Sequence, residues 1–283
     1  MQILIIGATG NIGRQTVREL QLRGLHPRIG VRRPDQARAS FGSNLEYVPF
    51  DFDDTSTFKK ALEGVSRLFF IAPMKEPEVP VSTLLAEARS AGVRHITFSS
   101  GRTTGDIEGK PLYLVEQLIR NGGIPYTIIR PGWFMQNFAN WLGGTLRSEG
   151  KLYLPAGNAK TAFIDVRDIA VVAVQTLLQT GHENKLYNLT SDEAIDHHEV
   201  VRLISKATGK PMTYVPLERA EFINTMVERG WTEGAAIYTV DLYDIVRTGK
   251  EEEISTDIKN LLRRSPIRFA QFAENHRDAW VLA

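Results

Sequence analysis

The chain has 283 residues, of which 42% are hydrophobic and 24% charged, and its 34 basic and 33 acidic side chains leave a formal net charge of +1. At about 150 residues per domain this amounts to roughly two domains with a sizeable core, and the balanced charge argues against a general nucleic-acid or membrane-surface binder. The absence of cysteine excludes disulfides, thiolate catalysis and Cys-ligated zinc or iron–sulfur centres; no stretch approaches the about 18 apolar residues of a membrane span, and the N-terminal apolar run is too short for a signal peptide, so a cytoplasmic protein is expected.

In chain order, short apolar runs alternate with segments of helical period. Ile3–Ile6 reads as a first strand, and Ile12, Val17 and Leu20 mark the buried side of a helix that stops at Gly24. Arg28–Val31 and Leu45–Pro49 read as the second and third strands, and a helix near Thr57–Glu63 leads to a fourth at Arg67–Ala72. Val81, Leu84, Leu85 and Ala88 have helical spacing, Ile96–Ser99 is a fifth strand, Leu112–Arg120 a helix, and Tyr126–Arg130 a sixth strand closed by Pro131-Gly132. This alternation implies a Rossmann-type α/β fold, a doubly wound parallel sheet whose ligand crevice lies at the carboxyl ends of the strands.

The second half is less regular. Thr161–Ile164 reads as a strand, Asp168–Leu178 as an apolar helix, and Leu186–Leu189 as a strand. Asp196–Glu199 reads as a capping-box start for a helix carrying Val200, Leu203 and Ile204. Met212–Val215 is a further strand, and helical pattern with aromatics at Phe222, Trp231, Tyr238 and Tyr243 follows. The expected division is a dinucleotide-binding domain over residues 1–150 and a smaller substrate-binding lobe over 151–283.

The most informative segment is Gly7-Ala8-Thr9-Gly10-Asn11-Ile12-Gly13. Glycines at this spacing, after a strand and opening a helix, allow a tight turn, a close backbone approach to a pyrophosphate and close helix–strand packing. The helix N-terminus then offers N–H groups and partial positive charge to the phosphates. The end of the second strand selects between cofactors. A carboxylate there would bond a ribose 2′-hydroxyl, but this chain has Gly30-Val31-Arg32-Arg33, with Asp35 only after Pro34. Guanidiniums suit a 2′-phosphate, so NADP(H) is expected, with Arg32 as the main contact.

The Gly7–Gly13 loop, Gly30-Val31-Arg32, the run Ile124–Asn137 (IPYTIIRPGWFMQN), Asp165–Ala170 and the terminal Phe269–Trp280 segment together resemble the NmrA-like family of atypical short-chain dehydrogenase/reductases. The resemblance implies NADP(H) and a substrate pocket between two lobes. It implies that Ile71, Ala72 and Pro73 and then Ser99 and Ser100 flank the dinucleotide, that Asp51 and Phe52 border the adenine, and that Pro131 to Phe134 border the nicotinamide, with Asn137 facing the pocket. The family includes quinone oxidoreductases, triphenylmethane-dye reductases, isoflavone-type reductases and catalytically silent sensors of NADP status.

The superfamily's usual acid is a Tyr-x-x-x-Lys pair on one helix face, where the lysine lowers the tyrosine pKa. Here the corresponding run is Tyr113-Leu114-Val115-Glu116-Gln117, with neutral glutamine in the lysine's place. Tyr113 and Asn137 are the candidate catalytic residues, Asn137 by orienting a substrate oxygen. Phe134, Phe163 and Trp231 are candidates for an aromatic pocket, with Trp133 and Tyr238 as further members. Adjacent His197 and His198 point to different helix faces and have no partner at metal spacing, so no metal is expected. Asp165 and Asp168 read as helix-start residues. The function expected is an NADPH-dependent reductase of a small flat conjugated substrate. The alternative is a silent NADP(H)-sensing regulator that binds a protein partner, and a nucleotide-sugar epimerase is a weaker third reading. A homodimer is left open.

Overall fold

The computed structural model describes residues 1–281. In chain order the elements are β1 (Gln2–Ile6), α1 (Asn11–Leu22), β2 (Arg28–Val31), α2 (Pro34–Phe41), β3 (Glu46–Pro49), α3 (Phe58–Leu62), β4 (Val65–Phe70), α4 (Glu78–Ser90), β5 (His95–Ser99), α5 (Pro111–Asn121), β6 (Tyr126–Pro131), α6 (Gln136–Ala139), α7 (Gly143–Glu149), β7 (Lys151–Leu154), α8 (Val166–Leu178), β8 (Lys185–Leu189), α9 (His197–Thr208), β9 (Thr213–Pro216), α10 (Arg219–Glu228), α11 (Glu233–Arg247), α12 (Asp257–Leu262) and α13 (Phe269–Asn275). They form two compact units, Met1–Pro131 with Val166–Leu189, and Gly132–Asp165 with Thr190 onward. The chain therefore leaves the first unit after β6 and returns to it for α8 and β8, so the division does not fall at residue 150. An apolar helix followed by a β-rich run completes the sheet from beyond the expected boundary.

Unit 1 is a seven-stranded sheet of order β3-β2-β1-β4-β5-β6-β8, and every pair in it is parallel. The order reverses between β1 and β4, which makes that junction the switch point. Strand alternation divides the core. Leu4 and Ile6 of β1, Leu68 and Phe70 of β4 and Ile96 and Phe98 of β5 pack with Val81, Leu84 and Leu85 of α4 and Val115 and Ile119 of α5. On β5, Thr97 points the other way and its hydroxyl meets that of Thr176 on α8 at 3.1 Å. On the same helix layer, α8 packs against α1, which buries Ile12, Gly13, Thr16, Val17 and Leu20.

Unit 2 has the short parallel pair β7–β9 and a core in which Phe138, Phe163, Phe222, Tyr243, Phe269, Phe272 and Trp280 are buried. Thr161–Ile164, expected as a strand, makes only isolated bridges. The reason lies in its partners: the Thr161 N–H bonds Ile195 O (2.9 Å), Ala162 bonds Glu251 O (2.8 Å) and Ile164 bonds Trp133 O (2.8 Å). Successive residues thus satisfy their backbones on three different segments, and no ladder forms. Asp196 does start a helix, accepting the Glu199 N–H at 2.8 Å. Among the described residues no helix is long and apolar enough to cross a membrane.

Candidate functional site

The first unit brings the expected cofactor residues to one edge. Gly7 to Gly13 follow β1, Arg32 follows β2, Asp51 and Phe52 follow β3, Ile71 to Pro73 follow β4, Ser99 and Ser100 lie at and after the end of β5, and Pro131 ends β6. All are at carboxyl ends of neighbouring strands, the place where open parallel sheets hold ligands.

The three loop glycines have different physical reasons. Gly7 has φ +87°, a left-handed conformation costly for a side chain, and a Cβ there would stand 3.2 Å from Cβ of Ile71 across the switch point. At Gly13 a Cβ would lie 2.2 Å from the Gly7 carbonyl oxygen, inside backbone that cannot give way. At Gly10 the same atom would meet nothing closer than 3.5 Å, so the protein itself leaves that space open on the exposed side of the loop. Gly10 is also the N-cap of α1, with no side-chain cap and no acid in the first turn. A helix that begins on bare glycine leaves its dipole and end N–H groups for an anion. These features fit a dinucleotide pyrophosphate.

At the end of β2, Arg32 and Arg33 are exposed. The nearby carboxylate, Asp35, is turned to Arg38 in an exposed i,i+3 pair at 3.0 Å. Phe52 is packed edge-on to Phe50, with ring centroids 5.0 Å apart, and Phe50 is stacked on Phe58 at 4.7 Å. Asp51 accepts the Asp53 N–H at 3.2 Å.

At the end of β5 the chain builds a network that sequence reasoning missed. Glu116 on α5 is fully buried. It accepts the Ser100 hydroxyl at 2.6 Å, Arg130 Nε at 2.8 Å and Arg130 Nη2 at 2.6 Å. Arg130 also donates to Gly105 O at 3.1 Å and to the Asp106 carboxylate. A Cβ at Gly105 would lie 2.5 Å from Glu116 Oε1, so only glycine lets the loop lie this close. A hydroxyl has one proton to donate; Ser100 spends it on Glu116, and its backbone N–H on Ile129 O at 2.9 Å. A signal was present: Leu112, Val115, Glu116 and Ile119 form one buried stripe, with a carboxylate at an apolar position.

Tyr113 is half-buried on α5, and its hydroxyl makes no hydrogen bond among the described residues. In unit 2, Asn137 is half-buried on α6, while its neighbour Gln136 is buried and donates its amide to Asp165 at 2.9 Å. Phe134 is half-buried and bridges to Ile164 through its backbone. Phe163 is packed among Phe138, His197 and Phe269, at centroid distances of 5.1, 5.7 and 6.0 Å. Trp231 lines a cavity of about 250 Å³ in unit 2. His197 is buried with both ring nitrogens unpartnered, and burial pulls its pKa down to about 4. Among the described residues no three His, Cys, Asp or Glu side chains are grouped to hold a metal ion.

Comparison with known proteins identifies a family and a set of solved relatives. The sequence model of the NmrA-like family matches residues 1–263. An NAD(P)H azoreductase of Xenophilus azovorans is 31% identical over 288 residues, covering 99% of this chain and all of the relative. The crystal structure of a Citrobacter sp. triphenylmethane reductase complexed with NADP(H) superposes with a TM-score of 0.86 at 25% identity, over 98% of this chain and 100% of that one. An NADPH-dependent quinone oxidoreductase of Escherichia coli, complexed with NADPH, gives 0.85 at 25% identity, over 96% and 99%.

Proposed function

The chain belongs to the NmrA-like family, and from that premise we propose that it is an NADPH-dependent reductase delivering hydride to a small, flat, conjugated acceptor: a quinone, an enone, an imine or a dye-like ring system. The observation that carries this reading is the cradle after β1. Gly13 admits no Cβ, Gly10 leaves its Cβ space open, and α1 starts without a cap of its own. Arg32, exposed at the end of β2 with Asp35 engaged by Arg38, holds the 2′-phosphate. NADP(H) then supplies the hydride when bound.

The residues of the chain bind and orient more than they exchange protons. The Tyr-x-x-x-Lys couple is absent, since Gln117 stands four residues after Tyr113, and the Ser100 proton is already donated. Transfer to an electron-poor conjugated acceptor needs chiefly a near-attack distance of about 3–3.5 Å. Asn137, with its amide not engaged within the described residues, orients the acceptor oxygen; Tyr113 is the second candidate. Phe134 and Trp231 supply the apolar surroundings, whereas Phe163, also expected there, is buried among Phe138, His197 and Phe269. The relatives named azoreductase, triphenylmethane reductase and quinone oxidoreductase support this substrate class. The cytoplasm is the setting we assign, in keeping with a chain that has no cysteine.

The missing Tyr–Lys couple also favours a second reading, a silent NADP(H)-sensing regulator that engages a protein partner. One assay separates the two. NADPH oxidation by the purified protein is followed against a panel of quinones, azo and triphenylmethane dyes, enones and cyclic imines, with NADH in parallel. Turnover with one class, faster with NADPH, is the expected result. Saturable NADPH binding without turnover on any member would overturn the reductase in favour of the sensor.

A further inference from the structure

The loop after β5, residues 101–110, is tied to the end of β6 at several points. The Ser100 N–H donates to Ile129 O at 2.9 Å and the Arg102 N–H to Pro131 O at 3.0 Å. The side chain of Arg130, between those two residues of β6, reaches the same loop. Its Nη2 donates to Gly105 O at 3.1 Å and its Nη1 to the exposed Asp106 carboxylate. Glu116 completes the tie from α5, accepting Arg130 Nε and Nη2 and the Ser100 hydroxyl. Two glycines permit this closeness. A Cβ at Gly101 would lie 2.7 Å from Thr104 Oγ1, and one at Gly105 would lie 2.5 Å from Glu116 Oε1 and 2.7 Å from Gly101 O.

A buried ion pair adds little net stability over apolar side chains of the same volume. What it adds is direction, since a guanidinium fork and a carboxylate fit in one arrangement. Here the arrangement fixed is that of the loop, at the carboxyl edge of the sheet. The glycine cradle follows β1 and Arg32 follows β2. With pyrophosphate and 2′-phosphate there, the adenosine half of the cofactor lies toward β2 and β3. In the order β3-β2-β1-β4-β5-β6-β8 the nicotinamide half then extends the other way, over β4, β5 and β6. We propose that Glu116 and Arg130 are positioning residues for the nicotinamide half of NADP(H): they hold the loop 101–110 against the end of β6, and that loop and Pro131 form the wall on which the nicotinamide and its ribose rest. The assignment rests on the cofactor placement proposed above and not on turnover.

Calorimetry on the full-length protein compares NADPH with 2′,5′-ADP, the adenosine half of the same molecule, and circular dichroism confirms folding. In Glu116→Leu/Arg130→Met apolar packing replaces the pair, so the fold is kept while the tie to the loop is cut. This variant is expected to bind NADPH about tenfold more weakly, the scale of one charge-assisted hydrogen bond, and 2′,5′-ADP as the wild type does. Asp106→Ala, at an exposed position, keeps the buried pair and frees only the loop from it. It should weaken NADPH by about threefold, the scale of an exposed ion pair, and again spare 2′,5′-ADP. A purely structural pair would move both ligands alike, or neither, in these folded variants, and that result would overturn the positioning role. Arg32→Ala, run beside them, should weaken both ligands. If it weakens neither, the cofactor placement fails, and this inference with it.

Discussion

Arg130 Nη2 lies 2.6 Å from Glu116 Oε2, and both side chains are buried in unit 1. Two largely buried charges are held in a fork geometry, with Ser100, Gly105 and the exposed Asp106 as their further partners. The pair therefore ties the loop after β5 to helix α5 and strand β6. Removing one partner of such a pair leaves a buried uncompensated charge and costs about 3–5 kcal/mol, whereas an apolar replacement of both can be neutral. Glu116→Ala leaves Arg130 only the exposed Asp106 carboxylate and is expected to lose stability toward the lower end of that range in urea unfolding, and the double variant Glu116→Leu/Arg130→Met to recover most of it. A single variant as stable as the wild type would remove the pair from the account of the fold.

The loop glycines give a separation of fold from ligand. Gly13→Ala forces a Cβ to 2.2 Å from the Gly7 carbonyl oxygen, and the strand–helix junction must open. That variant is expected to unfold well below the wild-type temperature. Gly10→Ala meets only an ordinary contact at 3.5 Å, and as an N-cap change it costs about 1 kcal/mol or less. Its effect is expected on the ligand: calorimetry should show NADPH binding weakened about tenfold or more, because the new methyl occupies the space of the pyrophosphate. Unchanged NADPH affinity in Gly10→Ala would place the phosphates elsewhere.

Much of this was legible in the sequence, for identifiable reasons. The parallel sheet was legible because strands buried on both faces read as short apolar runs between helical periods, and the cradle because glycine has no substitute at Gly7 or Gly13. The β8 strand and α8 were visible as elements but not as members of the first unit, since no local pattern states which sheet a strand joins. Thr161–Ile164 failed because its apolar alternation serves three separate backbone partners. The Ser100–Glu116–Arg130 network stayed hidden because its members lie 14 to 16 residues apart, and only a carboxylate in an apolar stripe betrayed it.

In the proposed reading Arg32 carries the cofactor preference. It is exposed at the end of β2 with no carboxylate on the strand end beside it. A charge-assisted hydrogen bond to a phosphate is worth about 1.5–3 kcal/mol, so Arg32→Ala should raise the Kd for NADPH by about 10- to 100-fold and leave that for NADH almost unchanged. Raised salt should weaken NADPH binding to the wild type more than to the variant, because an exposed contact is screened. Equal losses for both nucleotides would assign the 2′-phosphate to another cation.

Two of the three buried histidines, His95 and His197, dominate the acid limit of the fold. Burial lowers the pKa of His197 from 6.5 to about 4. For His95 burial, reinforced by the nearby Arg67 charge, does the same, again to about 4. His95 Nε2 donates to Thr127 Oγ1 at 3.0 Å, because the Thr127 proton is given to His182 O at 2.7 Å. His197 has no such partner and sits among Phe138, Phe163, Tyr214 and Tyr243, at centroid distances of 5.9, 5.7, 5.4 and 5.8 Å. In both cases the folded state favours the neutral ring. The associated stability is fully present above about pH 6.5 and is lost as pH falls from there through 4, by about 3 kcal/mol for each group. His197→Phe replaces an unpartnered imidazole by a ring of like shape, so at pH 7.5 it should be neutral or stabilising. Between pH 6.5 and 4 the variant should lose markedly less stability than the wild type, as read from urea midpoints at each pH. A parallel decline in the two proteins would mean that the His197 ring finds a proton-binding partner in the folded state.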